Sequence, residues 1–242
     1  MNSTLQHEDP DPLRAIERYR AHAEGYDASA ARTMRLRRRT IAALKLRHGD
    51  AVLDVACGTG LSFPLLVAAV GGEGCVTGVE LSPDMARRAR DRIARTGWAN
   101  VTLIEAAADD APLAGPFDAV LFNFAHDVLQ SPSALAHLFA FVAPGARVAA
   151  SGSKLLPRWL APANVLVRRI NAPYLTTFAG LRQPWRYLAD YVPDLEVRAA
   201  LWGAGYLAYG RYGSGRLGVW VRIHSHAASH AAMRPNEFGP TT

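Results

Sequence analysis

The chain has 242 residues, 50% of them hydrophobic and 20% charged, which is enough for one well-buried α/β unit and short for two independent ones. Its net charge of +6 rests almost wholly on arginine, Lys45 and Lys154 being the only lysines, so the basic bias reads as a compositional habit rather than a nucleic-acid-binding face. Cys57 and Cys75 are the only cysteines, which excludes a disulfide framework and a multi-cysteine metal site and fits a reducing cytoplasm.

The first twelve residues carry no periodicity and contain Pro10 and Pro12, as expected of a loose arm without the apolar core of a secretion signal. Residues 13–44 change to helical spacing, with Ile16, Tyr19, Ala23 and Tyr26 on one face, and Asp27 is placed to cap a second helix. That second helix carries Arg35, Arg37, Arg38 and Arg39, either a solvated face or an anion-contacting or membrane-surface patch. Both helices precede the first strand and are free to act as a lid.

Residues 51–55 form an apolar strand ending in a small-residue turn, Ala56-Cys57-Gly58-Thr59-Gly60, from which a helix starts. Such a turn lets a polar ligand lie against bare backbone beside free helical N–H groups. The apolar run 61–70 is broken by Ser62 and Pro64 and is about half of a bilayer crossing. It stops at Gly71-Gly72; residues 75–80 form a second strand finishing in Glu80, and Ser82-Pro83 reads as the capped start of another helix. Further strands are predicted at 101–105, 117–122 and 146–151, with a helix over 132–141 and a turn at Pro144-Gly145.

Beyond residue 155 come a helix through Val165 and Ile170, a short helix at 184–191, and two strands at 195–202 and 206–211 that read as an edge hairpin. A last strand-like piece covers 217–223, and the tail with His224, His226 and His230 reads as disordered. Strands alternating with helices at this rhythm predict right-handed crossovers and a parallel sheet covered on both faces. Ligands in such sheets bind beyond the carboxyl ends of the strands, so Asp54, Gly58, Glu80, Ala107 and Asn123 should ring one site.

Leu53-Asp54-Val55-Ala56-Cys57-Gly58-Thr59-Gly60 resembles the first motif of class I S-adenosylmethionine-dependent methyltransferases, and Gly78-Val79-Glu80-Leu81-Ser82-Pro83-Asp84-Met85 resembles their second. Phe117-Asp118-Ala119-Val120 and Pro144-Gly145-Ala146-Arg147-Val148 are similar to the later strand motifs. The resemblance implies an α/β, Rossmann-like, doubly wound and mostly parallel sheet with an antiparallel edge hairpin and an N-terminal helical lid. It implies one methyltransferase domain over residues 1–242, comprising a lid (1–45), a cofactor-binding core (46–154), an acceptor-side cover with the hairpin (155–213) and a tail (214–242).

S-adenosyl-L-methionine is the implied cofactor. Asp54, Ala56, Cys57, Gly58 and Gly60 are its expected loop contacts, and Glu80 is suited to both ribose hydroxyls. Leu81 and Met85 would pack near the adenine, Ala107 and Ala108 would offer backbone where many relatives carry an Asp, and Asn123 closes the ring. Reading Gly58-Thr59-Gly60-Leu61-Ser62-Phe63 as a nicotinamide fingerprint fails, because Phe63 stands where the third glycine should be.

His126 is the candidate general base, the alternative being a capping or core histidine, and Asp127 reads as an N-cap. The stretch Asn123-Phe124-Ala125-His126 lacks the pattern of enzymes that methylate nucleic-acid bases. Tyr19, Tyr26, Phe124, Trp159, Tyr174 and Trp185 are the acceptor-side aromatics, each alternatively a core residue. The expected reaction is metal-free, in-line methyl transfer to a nitrogen, oxygen or sulfur nucleophile of a small soluble molecule, without nucleic acid, in the cytoplasm. Two alternatives stand beside it: N-methylation of a lipid head-group amine, with Trp159, Arg168 and Arg169 in a weak membrane-surface contact, and a non-catalytic cofactor-binding regulator. Oligomeric state is left open.

Overall fold

The computed structural model describes residues 10–22 and 25–213; Ala23, the stretch 217–223 and the three tail histidines lie outside them. Seven strands form one sheet: β1 (Ala51–Val55), β2 (Cys75–Glu80), β3 (Val101–Glu105), β4 (Phe117–Asn123), β5 (Val142–Ser153), β6 (Glu196–Ala200) and β7 (Gly205–Arg211). Their order is β3-β2-β1-β4-β5-β7-β6. The first five run parallel, while β7 is antiparallel to β5 and to β6, so the predicted edge hairpin is present.

Helices α1 (Pro12–His22), α2 (Tyr26–Ala30) and α3 (Met34–Ala43) precede β1. The connections carry α4 (Phe63–Val70), α5 (Pro83–Thr96), α6 (His126–Leu129), α7 (Pro132–Phe139) and α8 (Ala161–Asn171). Side chains alternate between two cores. Leu53, Val55, Val120 and Phe122 pack toward α7 on one face, and Val52, Phe63, Leu66 and Leu121 pack toward α3 and α4 on the other. Both faces are dry, which is why these strands read as nearly continuous apolar runs.

Register levels the strand ends: Val55 pairs with Val79 on one side and with Phe122 on the other. The strand order runs outward in opposite directions from β1 and β4, so the crossovers part there and leave a crevice at this switch point.

Several local expectations are corrected. The Pro144-Gly145 turn lies within β5, Gly145 taking φ 79°, and β4 shifts register on β5 between Phe117 and Ala119 to absorb it. The helix expected at 184–191 shrinks to a 3-10 turn, Leu188–Asp190, because apolar Leu188 is the part pinned into the core. Asp27 caps nothing: Gly25 holds the N-cap position of α2, and the Asp27 carboxylate reaches across to Thr59 and Arg92. Ser82 precedes Pro83 at the start of α5, yet its hydroxyl makes no capping bond.

Candidate functional site

At the crevice, β1 leads into α4 through a loop in which Ala56, Gly58 and Gly60 take φ of 51°, 61° and 74°. The Gly58 N–H donates to Glu80 Oε2 at 2.8 Å, and the Ser82 N–H donates to Glu80 Oε1 at 2.8 Å. The carboxylate at the end of β2 is thus fixed by backbone on both sides, with the Leu81 backbone also favouring its ionised form. Burial pushes its pKa up, and the backbone bonds oppose that shift. Gly60 serves packing instead. A Cβ there would stand 2.5 Å from Phe63 Cδ2, so the turn lets the Phe63 ring fold under the loop.

Asp54 lies behind this loop, 1% exposed, with Oδ2 lacking any hydrogen-bond partner. Burial raises its pKa to about 7, against the opposing pull of Arg37 and a hydrogen bond from Ser62. Ser62 is itself held from the far side, since Asn123 Nδ2 donates to its hydroxyl at 3.3 Å and Ser151 Oγ donates to Asn123 Oδ1 at 2.7 Å. A polar relay therefore connects the ends of β4 and β5 to the carboxylate of β1.

Arg37 is 4% exposed and pairs with no carboxylate among the described residues. Its guanidinium donates to Tyr26 Oη at 3.2 Å and to Thr33 Oγ1 at 3.4 Å, and lies 4.9 Å above the Phe124 ring. Phe124 leaves β4 with φ 61°, which turns its ring into the cavity beneath that cation. Of the arginines on α3, only Arg37 is buried, so the solvated-face reading does not hold at this position. A buried guanidinium with unused donors suits an anionic ligand group.

Three tyrosines roof the site. Ring centroids stand 6.3 Å apart for Tyr19 and Tyr26, 6.4 Å for Tyr19 and Tyr174, and 6.0 Å for Tyr26 and Tyr174. Tyr19 Oη donates to the Tyr174 carbonyl at 3.2 Å, which fastens α1 to the segment after α8. Burial pushes the Tyr19 and Tyr26 pKa values up, keeping both phenols neutral. Beneath this roof is a cavity of about 380 Å³, lined by the three tyrosines, Phe124, Arg37, His126, Tyr206 and Leu181.

His126 lies at the start of α6, 7% exposed, where this cavity and the one beside Glu80 share a wall. Its Nε2 is 3.0 Å from the Ala179 carbonyl, so Nε2 carries the proton and Nδ1 is an acceptor; Nδ1 is buried without a partner. Burial lowers its pKa, with Asp127 and the Ala179 carbonyl pulling the other way. Asp127 is not the expected cap: Oδ2 accepts from the Thr176 N–H at 3.0 Å and from the Thr176 hydroxyl at 2.7 Å, clasping the roof segment.

A methyltransferase-domain family model matches residues 52–145, the stretch holding the glycine loop, Glu80 and His126. The demethylmenaquinone methyltransferase of Symbiobacterium thermophilum is 34% identical over 147 residues, 57% of this chain and 59% of that protein. These matches support a class I S-adenosylmethionine-dependent methyltransferase, with the likeness concentrated in the glycine-loop half of the sheet. The aligned part is less than two thirds of the Symbiobacterium protein. A second relative, the demethylmenaquinone methyltransferase of Listeria welshimeri, is 25% identical over 183 residues, 73% of this chain and 78% of that one. Among solved structures, an O-methyltransferase family protein from Burkholderia thailandensis shares the fold, with TM-score 0.58 and 18% identity over 88% of this chain and 67% of that one.

Placed in this methyltransferase fold, most expected residues converge and some do not. Ala56, Gly58, Glu80, Leu81, Met85, Ala108, Asn123, Phe124 and His126 line the cavity with Tyr19, Tyr26 and Tyr174. Cys57 instead joins the core beside Phe63, with its thiol pKa raised by burial, so only its backbone belongs to the loop. Gly60 acts through Phe63, and Ala106 lines the wall where Ala107 was expected. Trp159 is 79% exposed and away from the cavity, and Trp185 packs on Tyr206 at 5.0 Å in the core. Ring type alone suggested both for the acceptor side, and ring type does not fix position. Ser82 is the functional candidate that sequence reasoning misses, and Arg37 is singled out among four neighbouring arginines only by its burial.

Proposed function

We propose that this protein transfers the methyl group of S-adenosylmethionine to a small, largely apolar acceptor held between the tyrosine roof and His126. The observation that carries the reading is the Glu80 carboxylate, gripped by the Gly58 and Ser82 N–H groups at the wall of the cavity, where an acid suits a ribose diol. The unpartnered Asp54 Oδ2 and Ser82 Oγ are buried polar atoms that a polar cofactor would satisfy, so the residues present fit it.

Asp54 would accept from the cofactor's ammonium, and Arg37 would donate to its carboxylate. Those two ligand groups share one carbon, which suits the mutual influence of Asp54 and Arg37. Leu81, Met85, Ala106 and Ala108 would sandwich the adenine. The cofactor supplies a methyl group on a positively charged sulfur. Held there, it would supply that methyl group for in-line displacement by an acceptor under the tyrosine roof. The protein's part is to align, to exclude water and to place the rings of Tyr19, Tyr26 and Phe124 around developing and departing charge. Where the acceptor carries a proton, His126 Nδ1 receives it.

The two relatives named for demethylmenaquinone favour one further acceptor class, a molecule of the demethylmenaquinone type. Incubation with radiolabelled S-adenosylmethionine and a panel of quinols, phenols, thiols and amines tests the reading. Label should pass to an extractable small product. Tight binding of S-adenosylhomocysteine with no transfer to any member of the panel would leave a cofactor-binding protein, and no binding would remove the reading entirely.

A further inference from the structure

Most large apolar side chains that the fold leaves in solvent gather on one face. Trp159, Val165, Leu166 and Ile170 are 79%, 54%, 61% and 60% exposed along the 3-10 turn before α8 and α8 itself. Trp159, Leu166 and Ile170 fall on one stripe at helical spacing, while Asn164 and Val167 take the buried side. Asn164 anchors the helix, accepting from the Leu156 N–H at 2.8 Å and donating to its carbonyl at 3.2 Å.

The hairpin side adds to the same face. Gly203 packs beside Leu156, and the preceding Leu201 and Trp202 take φ of 48° and 56°, with Trp202 fully exposed. Two successive non-glycine residues in the left-handed region cost stability, and here they display a tryptophan to solvent. Nothing in the fold's own packing uses it.

The chain segment that carries α8 is basic. Between Asp127 and Asp190 the sequence has no acidic residue, while Arg158, Arg168 and Arg169 are exposed within the turn and helix that carry the apolar stripe. A nucleic-acid surface would place cations at the centre of the patch, whereas here tryptophan, leucine and isoleucine hold the centre and arginine the flanks. We propose that this face, centred on Trp159, Leu166, Ile170 and Trp202, docks the protein onto an anionic lipid bilayer. Tryptophan seats at the headgroup level, the aliphatic side chains enter the acyl boundary, and the arginines meet lipid phosphates. Ile170 and Leu201 also line the acceptor cavity, so docking puts the mouth of that cavity at the bilayer. Docking of this kind is independent of which molecule is methylated.

The test uses the intact chain with vesicles of equal parts phosphatidylglycerol and phosphatidylcholine, against phosphatidylcholine alone. Co-sedimentation should be at least about tenfold stronger with the anionic vesicles and should weaken as salt is raised. Leu166→Glu combined with Trp202→Glu should lower it by at least about tenfold, with S-adenosylhomocysteine binding retained as proof of folding. Ala99→Glu, between α5 and β3 at the opposite sheet edge, should leave it unchanged. Equal binding by the double variant, or none by the parent chain, overturns the proposal. So does a lipid-free dimer that the double variant dissociates, which would assign the face to a second copy, or capture of single-stranded RNA with anionic vesicles ignored.

Discussion

Asp27 on α2 and Arg92 on α5 form an ion pair of 2.6 Å across the glycine loop. The other Asp27 oxygen accepts from the Thr59 hydroxyl at 2.5 Å, and Arg92 Nε donates to the Thr59 carbonyl at 2.9 Å. Lid, loop and helix therefore meet at one residue of the loop. Asp27→Asn should speed release of S-adenosylhomocysteine several-fold in stopped-flow while changing overall stability by less than about 1 kcal/mol, since the pair is partly exposed. An unchanged release rate would show that the lid is held elsewhere.

Arg37→Met should weaken S-adenosylhomocysteine binding by about tenfold to a hundredfold, the worth of a charge-assisted hydrogen bond of ~1.5–3 kcal/mol. Titration calorimetry with an analogue lacking the carboxylate supplies the control. Parent and variant should bind that analogue equally, and a loss as large as with the full ligand would assign Arg37 to the acceptor instead.

Asp54 should give binding of S-adenosylhomocysteine a pH dependence. Its pKa in the empty protein is raised to about 7, and a cationic ammonium beside it favours the ionised form, so binding expels a proton below that pH. Affinity should rise with pH up to about 7 and then level off. The same raised value means that ionising Asp54 costs the ligand-free fold stability as pH climbs from the unfolded carboxylate range toward 7. Asp54→Asn should flatten the affinity profile; a profile that keeps its slope in this variant would locate the proton elsewhere.

His126→Asn should lower kcat by about a hundredfold to ten-thousandfold if the acceptor must lose a proton, with cofactor affinity preserved. Because burial lowers the His126 pKa, the acid limb of the parent's kcat profile should fall below the usual histidine range. An acceptor already ionised would be turned over by the variant at the parent rate, which separates the base from mere packing.

Gly60→Ala should destabilise the fold by about 2–3 kcal/mol, from a left-handed φ of 74° and a clash with the Phe63 ring. Thermal unfolding measures it. Ala56, already at φ 51°, shows that the loop tolerates a side chain where space exists, so a neutral outcome at Gly60 would mean that Phe63 can turn aside.

The sheet and the donor half were legible because they follow local rules. Apolar runs closed by Asp54, Glu80 and Asn123, with Gly71 and Pro83 as punctuation, specify strand ends that register then brings level. The acceptor half was legible only in its residue types. Tyr19 and Tyr174 are far apart in sequence and meet only because α1 folds back over the crevice, whereas Trp159 and Trp185 have equally suitable rings and face solvent and core. Arg37 was hidden for a similar reason: four arginines in five positions look alike until the helix is set against Phe124.

The relay from Ser151 through Asn123 to Ser62 joins the two halves at one seam. On one side lie loops encoded before residue 124; on the other lie the lid, the roof segment and the hairpin. Under the proposed function, the roof segment and the hairpin can be exchanged for another cover that directs the methyl group to a new molecule, leaving the donor grip untouched so long as Asn123 keeps its two neighbours and the lid keeps Arg37 and Asp27.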